Sequence, residues 1–252
     1  MSEKIDVDRF LKKLDGCFNK NDLVSADECI DFWESEARNA CDERALLTIL
    51  NEQLGLSRRM NDSKKGTDAI LECISLVEKL NLTNNISGAT IYINAATTSS
   101  HFGKDQEGIV LYDKAKKCYI DNGQTNSYEY ATLLNNSAGV LCKLKKYDLA
   151  EKNYLDAIEI LKKLGNRDGE IALSLVMLAH IAYDSSDNPD DTVYEKVENL
   201  LDESIKYLKS DKIVRDGNFA FILDKCAPSF DYFKRPGQAK AMRELAKEIY
   251  NK

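Results

Sequence analysis

The side chains of this chain best suited to chemistry are carboxamides, and the chemistry they suit is holding another chain. Asn94 and Asn136 stand 42 residues apart. Each carries a donor and an acceptor on one planar group, the same pair that a peptide bond carries. Repeated at a fixed structural step, such groups would hold an extended segment by its backbone. A helix-packing layer of about 10 Å spans roughly three extended residues at about 3.3 Å each. The plainer reading is that each Asn bonds an adjacent helix. Arg58 and Arg59 favour a carboxylate or an acidic side chain, although neighbouring charges on a helix are usually solvated. The two histidines, His101 and His180, have no carboxylates or thiols at metal-ligand spacing, and no H-E-x-x-H, G-x-S-x-G, P-loop or Gly-x-Gly pattern is present. The sequence therefore predicts a chain that is not an enzyme and needs neither metal nor cofactor.

The elements that must position these side chains are helical hairpins. In 131–165, ATLLNNSAGVLCKLKKYDLAEKNYLDAIEILKKLG, one amphipathic run carries Leu134, Ala138 and Leu141. A second carries Ala150, Tyr154, Ala157, Ile158 and Leu161. Both have helical spacing. The small Ala138 and Ala157 allow close approach, and Tyr147 and Tyr154 fill the wedge between the runs. One hairpin cannot hide this much apolar surface, so it must stack on others. The pattern recurs: Tyr154 follows Tyr112, and Ala157 follows Ala115, by 42 residues, while Ile158 follows Ile74, and Leu161 follows Val77, by 84.

A recurrence of this length signals a stacked array. Six units are expected, at about 7–40, 47–82, 89–123, 131–165, 172–210 and 219–252, forming a single array. In the first, Phe10, Leu14 and Cys17 face Ala26, Ile30 and Trp33, the last as a core residue. In the second a turn through NDSKKG is expected. The third has the weakly hydrophobic first helix TIYINAATTSSHF, which would form mainly because neighbours hold it. In the fifth, DSSDNPDDT lengthens the turn, and in the sixth Pro228 is expected to interrupt the first helix.

Composition agrees with an all-α chain: only three Pro and twelve Gly are spent on turns. With 35 Lys plus Arg against 42 Asp plus Glu the net charge is −7. That balance disfavours nucleic acid and anionic membrane as partners. No apolar run reaches membrane-spanning length, and MSEKIDVDRF lacks the pattern of a secretion signal, which predicts a cytoplasmic chain. The seven cysteines are odd in number and form no C-x-x-C pair, so they are expected as reduced, mostly packing thiols; Cys73 falls at a helix contact.

At LLNNSAGVLCKLKKYDLAEKNYLDAIEIL the chain resembles the tetratricopeptide repeat (TPR) family, in the 42-residue variety found in kinesin light chains. The resemblance is carried by Leu134, Asn135, Asn136 and Ala138, then by Lys146, Tyr147, Ala150 and Glu151, then by Tyr154, Ala157 and Ile160. The third unit matches through Asn94, Ala96, Gly103, Tyr112 and Ala115, with Gly108 in place of the usual Ala; the second departs at Gln53 and Gly66. The resemblance implies a right-handed α-solenoid of TPR helix-turn-helix hairpins, whose first helices line a concave channel that binds proteins or peptides.

In such an array, residues one or two positions before the packed small residue of a first helix project into the channel. These are Asn51, Arg58 and Arg59; Thr90, Asn94, Thr97 and His101; Thr132, Asn135, Asn136 and Lys143; and Met177, His180 and Tyr183. The Asn residues would supply a sequence-tolerant grip, with selectivity left to Arg58, Arg59, Lys143, Met177 and Tyr183. The expected function is a protein- or peptide-binding scaffold or regulator; the alternative is a self-associating module forming a homo-oligomer. Repeats that begin by about Val7 predict no N-terminal effector segment of the kind carried by the family's bacterial peptide sensors.

Overall fold

The computed structural model describes residues 4–251. The first three residues of MSEKIDVDRF, and Lys252 at the close of the sixth expected unit, lie outside them. Among the described residues every regular element is a helix. They are α1 (Val7–Asn19), α2 (Leu23–Asn39), α3 (Glu43–Met60), α4 (Ser63–Lys79), α5 (Ile86–His101) and α6 (Asp105–Asp121), followed by α7 (Tyr128–Lys143), α8 (Tyr147–Leu164), α9 (Asp168–Asp184), α10 (Asp191–Leu208), α11 (Gly217–Tyr232) and α12 (Pro236–Tyr250).

The hairpin turns are built to one plan. In five of the six described hairpins the chain leaves the first helix through a left-handed residue or its neighbour and closes with a backbone bond five residues back. Asp22 N–H donates to the Cys17 carbonyl, Asp62 to Ser57, Lys104 to Ser99, Lys146 to Leu141 and Arg235 to Phe230. These are the bonds that satisfy the orphan carbonyls of a helix C-terminus. The left-handed position is Asn21, Asn61, Gly103, Lys145 and Lys234 in turn. Between α9 and α10 the longer stretch 185–190 replaces this turn, and Asp190 caps α10 through the amides of Thr192 and Val193.

NDSKKG differs from the expected turn. Only Asn61 and Asp62 turn; Asp62 accepts from the Lys65 amide and starts α4 at Ser63, so SKKG is its first helical turn. Pro228 likewise differs from expectation, because α11 runs through it to Tyr232. The lost amide bond falls in the last turns of the helix. That end is held by Phe233 N–H to Ser229 and Arg235 N–H to Phe230, and by the buried Cys226, Ala227 and Phe230, which together outweigh one missing bond.

The chain forms two compact units, Met1–Gln124 and Thr125–Lys252. In the first, α2 packs on α3, α3 on both α4 and α5, and α5 on α6. Its interior contains Phe10, Ile30, Ile49, Leu54, Leu56 and Tyr112, with Trp33 edge-packed in the first hairpin against Phe10 and Phe32. The hydroxyl-rich α5 is held as its composition requires: Thr98 is fully buried and its hydroxyl reaches the Leu54 and Asn94 carbonyls. In the second unit, α7 packs on α8 and α9, α9 on α10 and α11, and α11 on α12, around Leu133, Leu134, Leu161, Ile171, Leu201 and Phe230. The cysteines are all free thiols; Cys73 is fully buried, and burial pushes its thiol up to about 12.

Candidate functional site

In the second unit the first helices α7, α9 and α11 lie side by side, α9 touching both neighbours. Between them opens a cavity of about 370 Å³. From α7 it receives Asn135, Asn136 and Gly139, and from the paired α8 it receives Tyr154. Leu173, Ser174 and Met177 come from α9, and Phe221 and Lys225 from α11. The i, i+3 and i, i+4 spacings along each helix put these side chains on one face. Ser174 Oγ lies 3.1 Å from Asn135 Oδ1 and 2.9 Å from the Glu170 carbonyl, which orients the Asn135 amide. Asn136 is exposed beside it. Phe221, half exposed, carries the Lys225 ammonium 5.2 Å from its ring centroid.

The structure thus gathers three of the sequence-predicted residues, Asn135, Asn136 and Met177, into one site. His180 and Tyr183, further along α9, sit in an aromatic cluster. His180 Nε2 is 2.9 Å from Ser229 Oγ, and its ring lies 5.2 Å from Tyr232 and 4.8 Å from Phe233. Tyr183 meets Tyr194, Tyr232 and Phe233 at 5.8 to 6.1 Å. Lys143 is exposed in the last turn of α7, and Thr132 donates to the Tyr128 carbonyl.

In the first unit the predicted polar residues are largely engaged with one another. Asn94 Nδ2 donates to Asn51 Oδ1 at 2.8 Å, joining α5 to α3. Arg58 donates to Thr98 Oγ1 at 2.6 Å and reaches the Asn94 carbonyl at 3.4 Å. Partial burial lowers the Arg58 pKa from its ordinary value, and its bonds make this half-buried guanidinium a tie between α3 and α5. Arg59 points elsewhere: exposed, with its guanidinium 4.4 Å above the Phe18 ring of α1. Thr97 is bonded to Tyr112 and to the Ile93 carbonyl, both at 2.8 Å. Thr90 bonds the Ile86 carbonyl, and His101 is exposed, edge-on to Phe102 at 4.9 Å.

Sequence reasoning did not single out Gly139, Leu173, Ser174, Phe221 or Lys225, and took Tyr154 for wedge filling alone. Phe221 and Lys225 belong to the least regular hairpin. Their four-residue spacing was the signal available, since it places an aromatic ring and a cation on one helix face.

Burial lowers the His180 pKa, with Asp184 opposing the shift. A histidine that resists protonation when folded contributes fully above its unfolded pKa of about 6.5. That contribution is lost as pH falls through this value towards the depressed folded pKa, because the unfolded chain then binds the proton more readily. The denaturation midpoint of the second unit is therefore expected to fall between about pH 7.5 and pH 5.5. His180→Gln is expected to flatten that slope, and an unchanged slope in the variant would refute the assignment to His180.

Among the described residues no group of His, Cys, Asp and Glu is arranged to hold a metal ion, and no helix is long and apolar enough to cross a membrane. No protein-family model and no curated protein sequence matches the chain. Solved structures do resemble it. BtubC (BKLC) from P. vanneervenii superposes with a TM-score of 0.63 over 98% of this chain and 92% of its own, at 18% identity. The apo form of the quorum sensor NprR from B. thuringiensis gives 0.64 over 96% and 64%, at 14% identity. The apo form of RapI gives 0.63 over 98% of both chains, at 13% identity. Kinesin light chain TPR-like repeats from Podosopora anserina are also similar, with a TM-score of 0.59 at 11% identity over 81% of this chain and 94% of theirs. The chain has the tetratricopeptide-type fold, an all-α solenoid of helical hairpins.

Proposed function

We propose that the chain is a non-catalytic, cytoplasmic protein- or peptide-binding scaffold or regulator, its six hairpins serving as one array, that holds an extended segment of a partner along its first helices. The observation that carries this reading is the cavity between α7, α9 and α11, where the carboxamides of Asn135 and Asn136 meet the apolar Leu173, Met177 and Phe221. Amides beside an apolar wall are what an extended peptide needs, one for its backbone and the other for its side chains. Similar folds lend support: NprR, 14% identical over 97% of this chain, has been solved in complex with its cognate peptide NprX. Asn94 spends its amide donor on Asn51, whereas Asn135 uses only its oxygen, towards Ser174, and Asn136 is exposed beside it, so the second unit is the better place for the grip.

Retention of a random peptide library by the full chain tests the proposal. Changing Asn135 and Asn136 together to Ala is expected to weaken retention by about tenfold or more, the worth of one to two hydrogen bonds. Asn94→Ala is expected to leave retention nearly unchanged. Equal retention by all three proteins would remove the site from the second unit.

A further inference from the structure

In the first unit a cavity of about 310 Å³ opens between α2, α3 and α4. Ion pairs bridge it at two levels. At one, Arg38 of α2 donates to both oxygens of Glu72 of α4, at 2.7 and 2.6 Å, and to Glu34 at 3.0 Å. At the other, the Lys65 ammonium of α4 donates to Asp27 at 2.7 Å and to Asp31 at 3.0 Å, both of α2. The bridges stand seven residues apart on each helix, which is two turns or about 10 Å. Between them α3 supplies the floor, with Gln53 one turn after the buried Leu50. Gln53 is 4% exposed, and its carboxamide oxygen and nitrogen both go without a hydrogen-bond partner. An amide withdrawn from water in this way is costly, and a ligand that pairs both atoms recovers the loss.

The unmet groups define the ligand. Both cations of the lining are engaged, each by two carboxylates, while acceptors remain. One is the Gln53 oxygen; another is Asp68 of α4, exposed and meeting no donor among the described residues. Asp31, Glu34, Asp68 and Glu72 outnumber Arg38 and Lys65, which leaves the lining two negative charges in excess. An ammonium answers both the charge and the Gln53 oxygen. It does not answer the Gln53 N–H groups, which need an acceptor about 2.2 Å to the side, the separation of oxygen and nitrogen in one carboxamide. An ammonium with a carbonyl on the next carbon has that layout. We propose that this cavity binds an α-aminoacyl group. Its ammonium donates to Gln53 Oε1 and Asp68, its carbonyl accepts from Gln53 Nε2, and its side chain lies against Leu50 and Ala69. A free amino acid is disfavoured, because its carboxylate meets the negative lining. The amino terminus of a peptide and a small amino-acid amide present the same group, and experiment separates them. The site owes nothing to the groove of the second unit.

The probes are alaninamide, acetyl-alaninamide, isopropylamine and alanine, each titrated against the full chain and followed by the backbone amide NMR shifts of α2, α3 and α4. Acetylation removes the ammonium, isopropylamine has no carbonyl, and alanine adds a carboxylate. Alaninamide is expected to bind at least about tenfold more tightly than each of the other three. Trialaninamide identifies the source: tighter binding than alaninamide marks a peptide terminus, equal binding a small amide, and either agrees with the proposal. Gln53→Met is expected to weaken alaninamide by about tenfold or more. The same change is expected to raise the stability of the first unit, so the loss cannot be assigned to misfolding. Asp68→Asn, at an exposed position, is expected to weaken binding by about threefold. If alaninamide fails to bind, if acetyl-alaninamide or isopropylamine binds as tightly, or if Gln53→Met binds as the native chain does, the inference falls. The groove reading, tested through Asn135 and Asn136, is untouched by that result.

Discussion

Replacing Gly88 with alanine is expected to cost the first unit about 2–4 kcal/mol of stability, as large core and backbone lesions do. Gly88 begins the third turn-to-helix entry, where its amide donates to the side chain of the α5 cap Asn85 at 2.9 Å. A Cβ on it would stand 1.9 Å from the Leu82 carbonyl oxygen and 2.9 Å from the Leu82 carbonyl carbon. These are backbone atoms, so no rotamer change relieves the overlap. The connection itself must shift, and it is held at both ends: Leu82 N–H donates to Val77 at 2.8 Å, and Asn85 N–H donates to Leu82 at 3.3 Å. Alanine would return about 1 kcal/mol of helix propensity, which does not offset a displaced cap and connection. The single tryptophan, Trp33, lies in the first unit and reports the transition in its fluorescence. A variant within about 0.5 kcal/mol of the native chain, the range of ordinary surface substitutions, would show that the Leu80–Asn85 connection yields freely.

How far the sequence reveals this molecule depends on which interactions respect its period. Packing does: the apolar runs of 131–165 and the 42-residue step fix the hairpins, because each helix must bury the same face against the next. Departures from the period were visible, but their reasons were not. Gly66, Gly108 and Ala150 share one repeat position. At Gly66 an added Cβ would meet the Phe102 ring at 2.5 Å and Ser57 Oγ at 2.8 Å, and at Gly108 it would meet the Ala96 carbonyl at 3.0 Å. Both hairpins approach too closely there for the methyl group that Ala150 carries.

Polar contacts between successive hairpins obey no such rule. Asn94 was legible as a repeat residue, yet the Asn51 carboxamide that takes its donor stands 43 residues away, off the period, on a helix whose rotation the sequence does not fix. Arg58 and Arg59 look alike as neighbours in the chain. A rotation of about 100° per residue sends one to Thr98 on α5 and the other to Phe18 on α1. The groove in the second unit was half legible for the same reason. Its α7 and α9 walls follow the pattern, while Phe221 and Lys225 come from a helix that breaks it.

Changing Gln53 to methionine is expected to stabilise the first unit by about 1–2 kcal/mol, since an unpaired buried polar group costs about that much and an apolar group of similar shape does not. Gln53 is 4% exposed, and neither Oε1 nor Nε2 has a hydrogen-bond partner. The repeat explains why. The same position holds Ala95 in the third hairpin and Ser137 in the fourth, and the facing positions on the second helices are Ala69, Leu111 and Asn153. The fourth hairpin makes both members polar, and Asn153 Nδ2 donates to Ser137 Oγ at 3.0 Å. The third makes both apolar. The second pairs a polar Gln53 with Ala69, which cannot bond it, and the Gln53 amide is left without a partner although charged side chains, Lys65 and Glu72 among them, line the same cavity. Methionine converts this hairpin to the arrangement of the third, fills nearly the same volume and keeps helix propensity. Gln53→Ala serves as the control and is expected to lose stability through the space it opens. If methionine instead destabilised the unit by about 1 kcal/mol or more, the amide would have to be bonded in solution.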